Sequence, residues 1–156
     1  MYKKLVILGL SAAFLHGCAS VNMESDHASN QAKQFAEPSP GSANLYIYRS
    51  TFGGQALKKD IWLNDDCIGA SANNVFFLKE IIGGGAEHKV STESEFSPNH
   101  LLFNAESGKN YYVQQYIKMG VFVGGANLRL VDEAKAQKKI AKLKLARQGN
   151  CSKPAP

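Results

Sequence analysis

Three cysteines, at positions 18, 67 and 151, and four histidines have the widest chemical reach in this chain. A thiol can act as a nucleophile, ligate a metal, form a disulfide or carry a lipid. A nucleophilic Cys67 would need His88 within hydrogen-bond reach and a lowered thiol pKa, and no local motif supplies either. His27, His88 and His100 match no ligand spacing, so no metal or other cofactor is expected. Asp65 and Asp66 form a carboxylate pair, but they sit at an expected hairpin tip, where Asp is favoured by turn geometry alone. Gly83-Gly84-Gly85 lacks the Lys and the strand–helix setting of a phosphate loop and reads as a flexible linker. No catalytic residue emerges from these patterns.

The first cysteine follows an address. Lys3 and Lys4 precede an uncharged apolar run over residues 5–15. As a helix it would be roughly 16 Å long, against about 30 Å of bilayer hydrocarbon, which is too short to span and right for a signal peptide. Leu15-His16-Gly17-Cys18 then resembles a bacterial lipoprotein signal, with His16 departing from the usual small residue. The resemblance implies removal of residues 1–17 and acylation of Cys18. One acyl chain anchors only marginally, whereas three anchor durably. Ala19, rather than Asp, implies the outer membrane by resemblance to the enterobacterial sorting rule. In that oxidising compartment Cys67 and Cys151 are expected to pair, the alternative being two free thiols, Cys67 buried and Cys151 on a frayed tail.

The remaining chain must position whatever these residues do. Residues 18–42 read as a lipidated cysteine and disordered tether, poor in large apolar side chains and ending in Pro38-Ser39-Pro40-Gly41-Ser42. Docking through Phe35 is the alternative. From residue 43 short β-rich runs follow at 8–12-residue spacing, which predicts an antiparallel β-sandwich of about seven to eight strands. Leu45 and Ile47 alternate with Tyr46 and Tyr48. Ile61-Trp62-Leu63, a polar turn and Cys67-Ile68-Gly69 form a hairpin. Residues 75–78 are a short strand and 111–119 the longest. An Ala-, Lys- and Leu-rich run predicts one C-terminal helix over about 132–147, capped by Asp132 and stopped by Gly149. The domain is expected over 43–147, with a tail at 148–156.

Two surfaces could bind. Residues 119–125, with Val121, Phe122 and Val123, are apolar and glycine-rich. They form either a bulged core strand or an exposed patch for a partner or bilayer. Lys135, Lys138, Lys139 and Lys142 line one helix face opposite Ala136, Ile140 and Leu143. That stripe is either merely solvated or a contact for anionic lipid headgroups or an acidic cell-wall polymer.

Ala43-Asn-Leu-Tyr-Ile-Tyr-Arg49, Ile61-Trp-Leu-Asn-Asp-Asp-Cys-Ile-Gly69, Ser107-Gly-Lys-Asn-Tyr-Tyr-Val113 and Leu130-Val-Asp-Glu133 together resemble the lipoproteins of domain-of-unknown-function family 2846 over residues 43–147. The resemblance implies a small sandwich similar to PEGA surface modules, with a C-terminal helix, and carries no catalytic site. Departures are Asp65-Asp66, where members often have Gly, and Gly83-Gly84-Gly85, where Pro-Gly is common.

The net charge is +5, about +3 without Lys3 and Lys4, too mild for a nucleic-acid binder. The sequence therefore favours a non-catalytic binding or structural module, lipid-anchored on the periplasmic face of the outer membrane, whose partner is an envelope protein or cell-wall glycan. An envelope enzyme acting on peptidoglycan or lipid, and an inhibitor or sensor, are the alternatives.

Overall fold

The computed structural model describes residues 20–156. The signal segment 1–17 and Cys18 lie outside the described residues. Eleven elements follow in order: α1 (Asp26–Ala32), β1 (Ser42–Arg49), β2 (Lys59–Leu63), β3 (Asp66–Ser71), β4 (Val75–Ile82), β5 (Ala86–Thr92), β6 (Asn99–Ala105), β7 (Asn110–Lys118), β8 (Gly125–Leu130), α2 (Glu133–Ile140) and β9 (Lys144–Leu145). A five-stranded sheet, ordered β8-β7-β1-β4-β9, faces a four-stranded sheet, ordered β3-β2-β5-β6. The chain is a mainly β sandwich.

Alternation along β1 explains the layering. Leu45 and Ile47 enter the core between the sheets, with Ile61, Val90, Phe103 and Val113. Tyr46 and Tyr48 point to the opposite face, where Phe76, Tyr112, Ala136 and Ile140 cover them. A strand buried on both faces carries large side chains at successive positions, as β1 does from Leu45 to Arg49. The hairpin turns at Asn64 and Asp65, whose φ values are +50° and +71°. Both central residues at positive φ define a type I′ turn, and Asn and Asp tolerate that region best after glycine. Gly69 is required for a different reason: its φ is +149°, and a Cβ there would stand 3.0 Å from the Phe77 ring.

Several expectations need correction. The sandwich is not wholly antiparallel, because β1 pairs in parallel with β7 and β4 with β9. Among the described residues nine strands form, against the expected seven to eight, the ninth only two residues long. Residues 75–78 extend into the longer β4, and β7 stops one residue before Met119.

Residues 20–42 are not a disordered tether over their described length. Ser25 caps α1 by accepting from the Ala28 N–H, Met23 bridges to Ala146, and Ala32 and Ser29 are buried. Phe35 docks, with ring centroids 5.4 Å from Tyr46 and 6.2 Å from Tyr112. The sheet supplies the partners that the sequence of this segment lacks: Asn110 donates to the Phe35 carbonyl and the Tyr46 hydroxyl to that of Ala32.

The C-terminal helix ends at Ile140, not near Arg147. After it, Lys142 and Leu143 donate to Lys139 and Ile140, a tighter i→i+3 turn. The chain then donates from Ala146 to the Phe76 carbonyl on the free edge of β4. Pairing with an open sheet edge outweighs the high helix propensity of the Ala-Lys-Leu run, because propensity is a weak preference that tertiary context overrides. Gly83-Gly84-Gly85 is no flexible linker: it closes the β4–β5 turn, with Gly83 donating to Gly41 and Gly85 to Ala105.

Candidate functional site

Cys67 and Cys151 are bonded, with Cα atoms 6.0 Å apart and 84 positions between them. Cys67 therefore offers no thiolate to His88. That ring is itself held by the Ile82 carbonyl at 2.8 Å and the Asn64 amide at 3.0 Å. The tail at 148–156 is strapped down by more than the disulfide. The backbone N–H groups of Ser152 and Lys153 and the Ser152 hydroxyl all donate to one oxygen of buried Asp60, at 2.7–2.9 Å. Among the described residues, no group of three or more His, Cys, Asp or Glu side chains could hold a metal.

One end of the sandwich is apolar and exposed. Three loops meet there: β1–β2 with Phe52, β5–β6 with Phe96, and β7–β8 with Met119, Val121, Phe122 and Val123. Phe52 is 98% exposed, Met119 96% and Phe122 83%. Residues 119–125 are thus not a bulged core strand; apart from the buried Gly125, they form a surface loop. The loop is built rather than frayed. Glu95 accepts from the backbone N–H of Val121 at 2.6 Å, from that of Phe122, and from that of Val123 at 3.1 Å. Desolvation pushes its carboxyl up, but the three donors outweigh this and hold it below the ordinary carboxylate range. The carboxylate contact is therefore present above that range and is lost as pH falls through the lowered value. Gly120 is obligatory, since a Cβ there would collide with the Val123 carbonyl. The Phe96 and Phe122 rings stand edge to face at 6.5 Å.

Arg49 fixes the third loop from inside. It is fully buried and donates to the carbonyls of Leu57 at 2.7 Å, Ser71 at 3.3 Å and Gly54. Burial pulls its pKa down to about 10. The arginine that ends the β1 motif is thus the inner clamp of the Phe52 loop.

Beside this end lies an open cleft of about 760 Å³. Its floor is a row of cross-strand neighbours: Tyr48 on β1 pairs with Gln114 on β7, which pairs with Arg129 on β8. Two Arg129 nitrogens donate to the Gln114 side-chain oxygen, at 3.0 and 2.7 Å, and its guanidinium lies 5.2 Å over the Tyr116 ring. Lys135, Lys138 and Lys139 form one wall and Phe52 belongs to the other. The positions i, i+3 and i+4 on α2 put these three ammonium groups on one face. Lys142 is exposed but does not line the cleft, so the predicted stripe is divided. No carboxylate lines it either. Tyr48 is only 2% exposed, and burial raises its pKa against the opposing charge of Arg129.

The model of the family described as "Protein of unknown function (DUF2846)" matches residues 39–126. An uncharacterized protein of Haemophilus influenzae (strain ATCC 51907 / DSM 11121 / KW20 / Rd) is 52% identical over 146 residues, covering 94% of this chain and 85% of its own length. The chain belongs to the DUF2846 family. No solved structure matches it. The DUF2846 match contains β1 to β7, all three apolar loops and the floor residues Tyr48 and Gln114. Arg129, α2 and Cys151 lie beyond it.

Of the predicted surface residues, Val121, Phe122 and Val123 gather at the apolar end, and three of the four lysines at the cleft. Phe52, Phe96, Tyr48, Gln114, Tyr116 and Arg129 escaped the sequence reading. Only Gln114 carried a local signal, as one of two adjacent amides, with Gln115, in the middle of β7; the others join through tertiary pairing.

Proposed function

We propose that this DUF2846 protein is a lipid-anchored, non-catalytic envelope module, held at the periplasmic face of the outer membrane with its apolar loops resting on the bilayer. The exposed cluster of Phe52, Phe96, Phe122 and their neighbours carries this reading. Monomers rarely leave such side chains together in water without a use. The bilayer fits as occupant because of where the chain enters. Ser20 lines a groove with Lys58, and Lys58 ends the same loop that presents Phe52. Only two peptide units separate Ser20 from Cys18, a reach of about 7 Å. A lipid on Cys18 would hold this region close to the membrane. The Cys67–Cys151 bond suits an oxidising compartment.

Two experiments test this. Metabolic labelling with a fatty acid should mark the wild type and not Cys18→Ala; equal label on both would end the anchor. In vesicle flotation, Phe52→Ser/Phe96→Ser/Phe122→Ser on the Cys18→Ala background should bind at least about tenfold more weakly than Cys18→Ala alone, since each buried aromatic contributes about 1.5–3 kcal/mol. Equal flotation rules out the bilayer as occupant, and a discrete protein adduct from a photo-crosslinker at position 122 would put a protein there instead.

A further inference from the structure

We propose that the cleft between α2 and the β1–β2 loop binds a phosphate-bearing saccharide, which gives the membrane-module reading above its ligand. The charge is the first reason. Arg129, Lys135, Lys138 and Lys139 all line the cleft and no carboxylate does. The acids nearest in sequence are engaged elsewhere: Asp132 caps α2, and Glu133 accepts from Tyr112 and Gln137. A phosphomonoester carries close to two negative charges and three acceptor oxygens, and suits such a site better than a carboxylate.

Preorganisation is the second. Arg129 is not a free surface side chain. Its Nε and one terminal nitrogen are spent on Gln114, its central carbon lies over the Tyr116 ring, and the other terminal nitrogen makes no hydrogen bond among the described residues. A guanidinium so fixed loses little entropy on meeting an oxygen anion.

The third reason is the floor. Tyr48 is only 2% exposed, but it lines the cleft, and its hydroxyl oxygen, which is not sealed from solvent, makes no hydrogen bond among the described residues. A sugar hydroxyl would satisfy it, while Phe52 on the facing wall offers an aromatic surface for the C–H face of a sugar ring. Inorganic phosphate alone would use the cations and leave Tyr48 and Phe52 unused.

The test titrates the full-length chain in non-ionic detergent with glucose 6-phosphate, glucose and inorganic phosphate. Glucose 6-phosphate should saturate, at least about tenfold tighter than either of the others, and added salt should weaken it. Arg129→Gln should weaken it about tenfold or more and Tyr48→Phe about threefold, with unfolding midpoints unchanged; Lys142→Gln should change nothing. Binding no tighter than that of inorganic phosphate and insensitive to Arg129→Gln and Tyr48→Phe would reduce the cleft to a diffuse cationic surface. The absence of saturation up to about 10 mM would overturn it outright.

Vesicles separate the two sources of this chemistry. If phosphatidylcholine vesicles gain affinity from a phosphorylated glucosamine lipid, and Arg129→Gln abolishes only that gain, the ligand is a lipid headgroup. If the soluble sugar phosphate binds and the glycolipid adds nothing, it is a free or cell-wall sugar phosphate. A chain that takes no fatty-acid label but still binds glucose 6-phosphate would overturn the anchor and leave the cleft standing.

Discussion

Reducing the Cys67–Cys151 bond should lower the unfolding midpoint by roughly 10 °C or more. The bond closes a loop of 84 positions, for which the chain-entropy model gives about 4–5 kcal/mol as an upper figure, and loss of a native disulfide typically costs about 2–5 kcal/mol. A domain of this size has about 5–15 kcal/mol in total. Local structure adds to the effect. The tail bonded at Cys151 also joins the edge of β3, with Gly149 donating to Ile68 and Ala70 to Asn150. Beyond it, Ser152 and Lys153 satisfy the buried Asp60 carboxylate. Freed of its covalent tie, this tail frays more readily and leaves Asp60 short of donors. The measurement compares urea or thermal unfolding of oxidised protein with protein reduced and alkylated at both positions. Peptide mass analysis should find Cys67 and Cys151 unmodified when denatured protein is alkylated without reductant. Alkylation of both under those conditions, or an unchanged midpoint after reduction, would refute the staple.

The hairpin and the alternation in β1 were legible because each is written locally, and the bond because two thiols remain once Cys18 is assigned to a lipid. Two thiols left over in the oxidising compartment that the lipoprotein resemblance implies are expected to pair. Asn64 and Asp65 between two apolar runs imply a tight turn, and Leu45-Tyr46-Ile47-Tyr48 implies two faces. Strand direction was not legible. Alternation says which way a side chain points but nothing about which strand lies alongside, so the parallel pairing of β1 with β7, some 66 positions apart, left no trace in the sequence. The same pairing builds the cleft floor, and the cleft was therefore invisible for the same reason.

Segment 20–42 reads as a tether, with docking through Phe35 only the alternative, for the opposite cause. Its own residues are polar and flexible by composition, and the groups that hold it, such as Tyr46 and Asn110, belong to the sheet. The apolar loop at 119–125 was noticed, but its composition fits a core strand and a surface cluster equally well. The backbone donors collected by Glu95, 26 positions away from Val121, decide the matter.

Ile140→Ala should destabilise the protein by about 2–5 kcal/mol, the usual range for truncating a buried aliphatic side chain. Ile140 is fully buried in the cluster formed by Tyr46, Tyr48, Phe76, Tyr112 and Leu143. Flat aromatic rings on a β-sheet cannot collapse easily into the space a lost side chain leaves, so the upper half of that range is expected. Lys139, its exposed neighbour, is the control: Lys139→Ala should shift stability by less than about 0.5 kcal/mol. Equilibrium urea unfolding measures both, and a wild-type midpoint for Ile140→Ala would mean that α2 does not dock on the sheet. The same variant tests whether packing and recognition are coupled. Tyr48 touches both, since it belongs to the cluster under α2 and lines the cleft. Under conditions where Ile140→Ala remains folded, a helix loosened by the cavity presents Lys135, Lys138 and Lys139 less firmly. It should then bind glucose 6-phosphate more weakly than wild type, although Ile140 itself lies outside the cleft.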